Sequence, residues 1–183
     1  MVKMRLACLF AAGLLLAPAS LTMARAGQAP AAKPTAEAEA LAAKAREAGA
    51  TDAGAALDVL YGRLADRVQL DHVPKAASDG PYDSAAIAKG GPAEVAAMRK
   101  LMPDFRHELL KVAARGDSVE LSHRYTGTMP DGARLDWKSH LTFVLSGGKV
   151  TRLVSQGEGS DEQRARLQAA MKQGGFAPNA KKE

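Results

Sequence analysis

Four short stretches in fixed order decide the fold: Met102-Pro103-Asp104-Phe105, Arg115-Gly116-Asp117-Ser118-Val119, Tyr125-Thr126-Gly127-Thr128 and Gly147-Gly148-Lys149-Val150. Pro103 stops a helix, because its ring excludes the residue before it from helical backbone. Gly116-Asp117 and Gly147-Gly148 are tight-turn signals between apolar-alternating runs. Ser118 to Thr128 sets Val119, Leu121, His123 and Tyr125 on one face against Glu120, Ser122, Arg124 and Thr126 on the other. Arg134 to Leu145 does the same with Leu135, Trp137, Ser139, Leu141, Phe143 and Leu145, and Pro130-Asp131-Gly132 is the turn between the two runs. A period of two means half-buried strands. The stretch therefore predicts a helix end followed by four antiparallel strands in a curled meander: Phe105 to Ala113, Ser118 to Thr128, Arg134 to Leu145 and Lys149 to Gln156.

Upstream the period changes to that of a helix. Ala36 to Ala48 is rich in Ala, Glu and Lys and stops at Gly49, which predicts a first helix. Thr51-Asp52 offers an N-cap for a second, Ala53 to about Ala65, with Leu57, Leu60, Tyr61 and Leu64 as its apolar stripe. Arg67 to Val73 alternates Val68, Leu70 and His72 against Arg67, Gln69 and Asp71, and Pro74 ends that strand. Pro74 to Gly91 reads as a long loop. Pro92 then stands at the first turn of a helix whose buried face is Val95, Met98, Leu101 and Met102. Ser160 with Gln163 is a capping box opening a last helix with Leu167 and Met171. Helices gathered on one face of a curved antiparallel sheet make an α+β cone, with the N-terminal helices on its concave face.

The ordered motifs resemble the SnoaL-like polyketide cyclase and ester cyclase-like group of the nuclear transport factor 2-like superfamily, over about Leu41 to Gln156. The resemblance implies the same cone, a small apolar ligand and a homodimer formed through the sheet. It also implies acid/base isomerase, lyase or cyclase chemistry next to a carbonyl. The alternative is a non-catalytic dimerisation or partner-binding domain, since this fold hosts both. A proton-transfer group near the end of the first strand is implied, and Asp71 and His72 stand there. Members most often carry an apolar or aromatic residue where His123 stands, and His123 on an inner wall is a candidate base or donor. The candidate catalytic residues are thus His72, His123 and Asp71. Tyr125, Trp137 and His140 are the candidate ligand-binding residues. His140 shares its face with Asp136, so both line the cavity only if the polar side of that strand is the inner one. His107 reads as packing. Many cyclase-like members have His directly after the Gly-Thr of the second meander strand, where this chain has Met129.

Other chemistries find no support. No two histidines have ligand spacing on a helix or in a His-x-His pair, so no metal is expected. Gly90-Gly91 does not follow a strand as a phosphate loop does, and Ser155 and Ser160 lack a nucleophile elbow. No cofactor is expected.

The ends and the charge point to a compartment. Lys3 and Arg5 precede an apolar run, Leu6 to Ala17, too short for a bilayer span. Ala24-Arg25-Ala26 is a cleavage site, so residues 1–26 read as a signal peptide and the mature chain as periplasmic or secreted, with no membrane attachment after cleavage. The single cysteine, Cys8, leaves with that segment; Arg5 three residues before it argues against a lipoprotein. Removing Lys3, Arg5 and Arg25 lowers the net charge from +5 to +2. With few aromatics and no basic stripe, nucleic acid is not an expected partner. Residues 27–35 read as a flexible linker, 36–157 as the cone domain, 158–173 as a C-terminal helix and 174–183 as a disordered tail.

Overall fold

A computed structural model describes residues 32–76 and 78–173, apart from the side chains of Lys172 and Gln173. The stretches read above as signal peptide and tail, and most of the stretch read as linker, lie outside the described residues. The described chain runs α1 (Ala36–Gly49), α2 (Ala53–Tyr61), β1 (Leu64–Val73), β2 (Gly80–Asp83), α3 (Ser84–Leu101), β3 (Arg106–Arg115), β4 (Ser118–Thr128), β5 (Arg134–Ser146), β6 (Lys149–Glu158) and α4 (Asp161–Gln173). The strands form one sheet in the order β2-β1-β6-β5-β4-β3. All pairings are antiparallel except β1 with β6, which is parallel. This is the α+β cone, a curled and unclosed sheet that is mostly antiparallel.

The meander matches its reading nearly residue for residue, because alternation and turns agree there. Gly116, Gly132, Gly147 and Gly148 all take positive φ at the hairpins, a backbone region that costs other residues a steric clash. At the N-terminal end, Thr35 caps α1 by accepting from the Ala38 N–H at 3.2 Å, and Asp52 caps α2 through Gly54 at 2.9 Å. Ala32 and Thr35 exchange backbone hydrogen bonds with Gly116, which ties the chain ahead of α1 to the β3–β4 turn.

Two expectations are corrected. Helix α2 ends at Tyr61, so Leu64 is the first residue of β1 rather than the end of a helical stripe. Residues 74–91 are not one loop: β2 pairs with β1, and α3 begins at Ser84, so Pro92 and the Gly90-Gly91 pair lie inside that helix. The physical cause is a longer apolar stripe than Pro92 suggested. Ile87, Gly91, Glu94, Met98 and Leu101 recur at spacings of four and three along α3, the signature of one helical face. Gly91 on this face is packed so closely that a Cβ there would stand 2.8 Å from the Tyr61 ring.

Two apolar clusters hold the fold. The larger joins α1, α2 and the sheet around Leu41, Leu57, Leu60, Val119 and Phe143. The smaller joins α3, α4 and the opposite end of β4 and β5 through Met98, Met102, Tyr125, Met129, Leu135, Trp137 and Leu167.

Candidate active site

Between the two clusters lies a cavity of about 1070 Å³, walled by α2, α3, the β1–β2 loop, the inner faces of β1, β4, β5 and β6, and α4. Its lining is mostly apolar: Leu57, Leu70, Ile87, Leu141, Leu153 and Met171. A cavity of this kind with a few convergent polar groups is the usual form of a small-molecule site. Register puts polar side chains across its floor. His123 faces Ser139, which faces Gly157; one row further on, His72 faces Ser155, which faces Leu141.

His123 is 4% exposed. Its Nδ1 lies 2.9 Å from His107 Nε2, and its Nε2 is buried without a hydrogen-bond partner among the described residues, as is His107 Nδ1. Tyr125 packs edge-on against both rings, at 4.8 Å between centroids. Burial, together with the neighbouring imidazoles of His107 and His140, brings the His123 pKa down to about 3. Burial brings His107 down to about 4, with Asp52 drawing it up and Arg99 pushing it down. Both rings are neutral at pH 7.

Glu94 reaches the cavity from α3. It makes no hydrogen bond or ion pair with the described residues, and burial lifts its pKa to about 7. Its charge acts on the phenols of Tyr61 and Tyr125, whose pKa values burial already raises above the ordinary range. A carboxyl that ionises near neutrality is suited to general acid/base work.

His72 lines the cavity beside the β1–β2 loop. Its Nδ1 lies 2.6 Å from Asp79 Oδ1. Asp79 also accepts from the backbone N–H groups of His72 (3.0 Å) and Ala76 (3.1 Å). Burial pushes the Asp79 pKa up, but these three hydrogen bonds outweigh it and hold the group below its ordinary value. The carboxylate can only accept here, so His72 Nδ1–H donates to it, and in that tautomer of the imidazole Nε2 is the acceptor.

Trp137 forms the cavity end near α4. Its indole lies flat across the Gly157 and Gly159 backbone, where a Cβ at either glycine would overlap the ring. Arg164 covers the ring at 5.8 Å.

Two expected site residues are elsewhere. Asp71 is on the opposite face of β1, bound to Arg152 at 2.6 Å and Gln69 at 2.8 Å. Alternation requires this: with His72 turned inward, its neighbour in the strand turns outward. His140 is on the outer face of β5, between Ser122 Oγ (2.7 Å) and Glu158 Oε1 (2.8 Å). The inner face of β5 is the apolar set, so Asp136 is also outside, paired with Arg124. Three groups escaped the sequence reading. Glu94 left a signal as a lone carboxylate on the apolar stripe of α3, but in a helix opening at Pro92 it stands in the first turn, where a carboxylate is ordinary. His107 alternates in phase with Leu109. Asp79 left none, because only the loop's path brings it to His72. Among the described residues no group of three or more His, Cys, Asp or Glu is placed to hold a metal ion.

No family model matches the chain, and no curated protein does. Among solved structures, it is similar to an NTF2-like protein from Burkholderia thailandensis, at 15% identity over 73% of this chain and 96% of that one, with a TM-score of 0.48. It is similar also to a protein described as a SnoaL-like polyketide cyclase from a Jannaschia species, at 16% identity over 79% and 97%, with a TM-score of 0.45. A protein from a soil-derived mobile gene cassette is 19% identical over 72% and 97%, with a TM-score of 0.47.

Proposed function

We propose that this protein is exported, binds a small apolar molecule carrying a carbonyl, and moves a proton next to that carbonyl as an isomerase, lyase or cyclase. One observation carries the reading: Glu94 and His123 both line a large, mostly apolar cavity, and neither the Glu94 carboxyl nor His123 Nε2 has a partner among the described residues. Unpaired buried polar groups are costly, and a ligand that pairs them removes the cost. Glu94 is the base, since its pKa lies near the working pH. A neutral donor elsewhere on the cavity lining, His123 Nε2–H or the Tyr125 hydroxyl, stabilises the enolate oxygen as charge develops. His72, oriented by Asp79, accepts a hydrogen bond from a hydroxyl further along the ligand. Dimerisation through the outer sheet face and cleavage after Ala26 belong to the same reading.

Trp137 is the only tryptophan and lines the cavity, so its fluorescence reports occupancy. The test uses 2-tetralone, an apolar bicyclic ketone, in D₂O. Binding should quench or shift Trp137, and NMR should show its α-protons exchanging faster than in buffer. Glu94→Gln should retain binding and lose the exchange about 100-fold, about 2.7 kcal/mol. Exchange that is unchanged in Glu94→Gln removes the catalytic reading. Binding without any exchange supports the non-catalytic alternative.

A further inference from the structure

His123 presents a difficulty to any acid/base role. Its environment is too apolar for an imidazolium at neutral pH, so it cannot take a proton and hold it. It nonetheless touches a second imidazole, and each ring's remaining nitrogen is buried and unpaired. We propose that His107 and His123 are a charge-neutral proton relay, in which His123 Nε2 serves the cavity that His123 lines and His107 Nδ1, which has no water-accessible surface in this structure, exchanges with water when the packing around it opens.

The hydrogen bond links the two tautomers. If His107 Nε2–H donates to His123 Nδ1, then neutral His123 carries its proton on Nε2 and offers the cavity a donor. If His123 Nδ1–H donates to His107 Nε2, then His107 carries Nδ1–H and His123 Nε2 is an acceptor. Both rings thus carry the proton on the same-named nitrogen in either state. The states interconvert with one proton entering and one leaving. A water gives a proton to His107 Nδ1, the Nε2–H of His107 passes to His123 Nδ1, and the Nε2–H of His123 passes to an enolate oxygen, forming the enol. Each ring gains one N–H bond and loses one, and hydroxide remains in the water. No charge rests on either imidazole. His107 does not line the cavity and is a positioning residue. The groups acting electrostatically on the pair are Asp52 at the start of α2, Arg99 near the end of α3 and His140 on the outer face of β5. The Tyr125 ring packs against both imidazoles and holds them in contact.

This inference deepens the reading above and rests on it for the identity of the proton acceptor, but its test needs no ligand. Protein labelled with ¹⁵N at histidine is examined by long-range ¹H–¹⁵N NMR from pH 5.5 to 8. His107 and His123 should both be neutral throughout, with the same-named nitrogen protonated in each. In His107→Gln, whose amide can fill one hydrogen bond but cannot pass a proton on, exchange of the His123 ring N–H with water should slow at least tenfold, with a near-normal melting temperature. In His107→Phe, which keeps the ring against Tyr125, the same slowing is expected. Opposite tautomers in the two rings, a charged ring at pH 7, or unchanged exchange in both variants would overturn the relay. If 2-tetralone fails to bind while these results hold, the relay stands and the ligand reading falls.

Discussion

His123 and His140 lie on adjacent, directly paired strands, yet the two faces of the sheet treat them oppositely. His123 points inward, is buried, and has one nitrogen without a partner. His140 points outward, with both nitrogens bonded, to Ser122 and Glu158. The difference extends to neighbours. Outside, Arg124 binds Asp136 and Arg152 binds Asp71, each charge answered across one strand pairing. Inside, the Glu94 carboxyl and His123 Nε2 have no partner among the described residues. A polar group left unpaired in an apolar space lowers stability and keeps its hydrogen-bonding capacity for something else. The outer face is finished, and the inner face is waiting.

The largest expected effect separating the two faces is on acid stability. His123 and His107 have folded pKa values of about 3 and 4 against an ordinary 6.5, so the unfolded chain binds more protons between those limits. Their contribution is fully present above pH 6.5 and is lost as pH falls towards 4. Denaturation followed from pH 7 to pH 4 should show a loss of more than about 2 kcal/mol, flattened in the His107→Phe/His123→Phe double variant.

Gly157→Ala should be the next most costly. Its methyl group would overlap the indole of Trp137, and moving that ring out of the cavity end should cost about 2 kcal/mol with a visible shift in fluorescence. An unchanged spectrum and stability would mean that the platform does not hold the ring.

Glu94 has the opposite sign from the histidines. Its folded pKa is raised from 4.5 to about 7, so it favours the folded chain below pH 4.5 and loses that contribution as pH rises through 7. Glu94→Gln should therefore be more stable than the parent at pH 8, by on the order of 1–2 kcal/mol, and equal to it near pH 4. A destabilised variant at pH 8 would show that the carboxylate has a partner after all.

For ligand binding the two histidines should divide cleanly. Affinity for 2-tetralone should fall about tenfold, about 1.4 kcal/mol, in His123→Phe, and less than twofold in His140→Phe. Smallest of all is Arg124→Gln. Breaking its exposed pair with Asp136 should move the melting temperature by no more than about 2 °C. A larger shift would mean that the outer face contributes more than solvent-screened charges usually do.

Strand alternation made much of this legible in advance. Val119 to Tyr125 carries an unbroken period of two, so the inner positions of His123 and Tyr125 follow from the pattern. His72 and Asp71 are neighbours in one strand, and only one of them can face the cavity; choosing both overlooked that constraint. The face of β5 stayed open because a cavity wall admits either an apolar or a polar set. Pro92 misled through local chemistry: a proline usually opens a helix, but here the stripe from Ile87 to Leu101 and its packing outweigh the lost hydrogen bond. Asp79 and His107 acquire their roles only through tertiary contact, at separations of seven and sixteen residues from their partners.

The parallel pairing of β1 with β6 also bears on how the molecule is made. The two strands begin at Leu64 and Lys149, and β3, β4 and β5 lie between them in the chain. Hairpins such as β4–β5 close over a few residues and form early, whereas joining β1 to β6 must close the longest loop in the sheet. During synthesis β1 leaves the ribosome with only the short β2 available to pair with, and its inner edge stays open until the last strand emerges. The row that holds His72 against Ser155 is thus completed at the end of folding. A chain stopped before Lys149 would carry α1 to β5 and no cavity, and would present the β1 edge as a sticky surface for other chains.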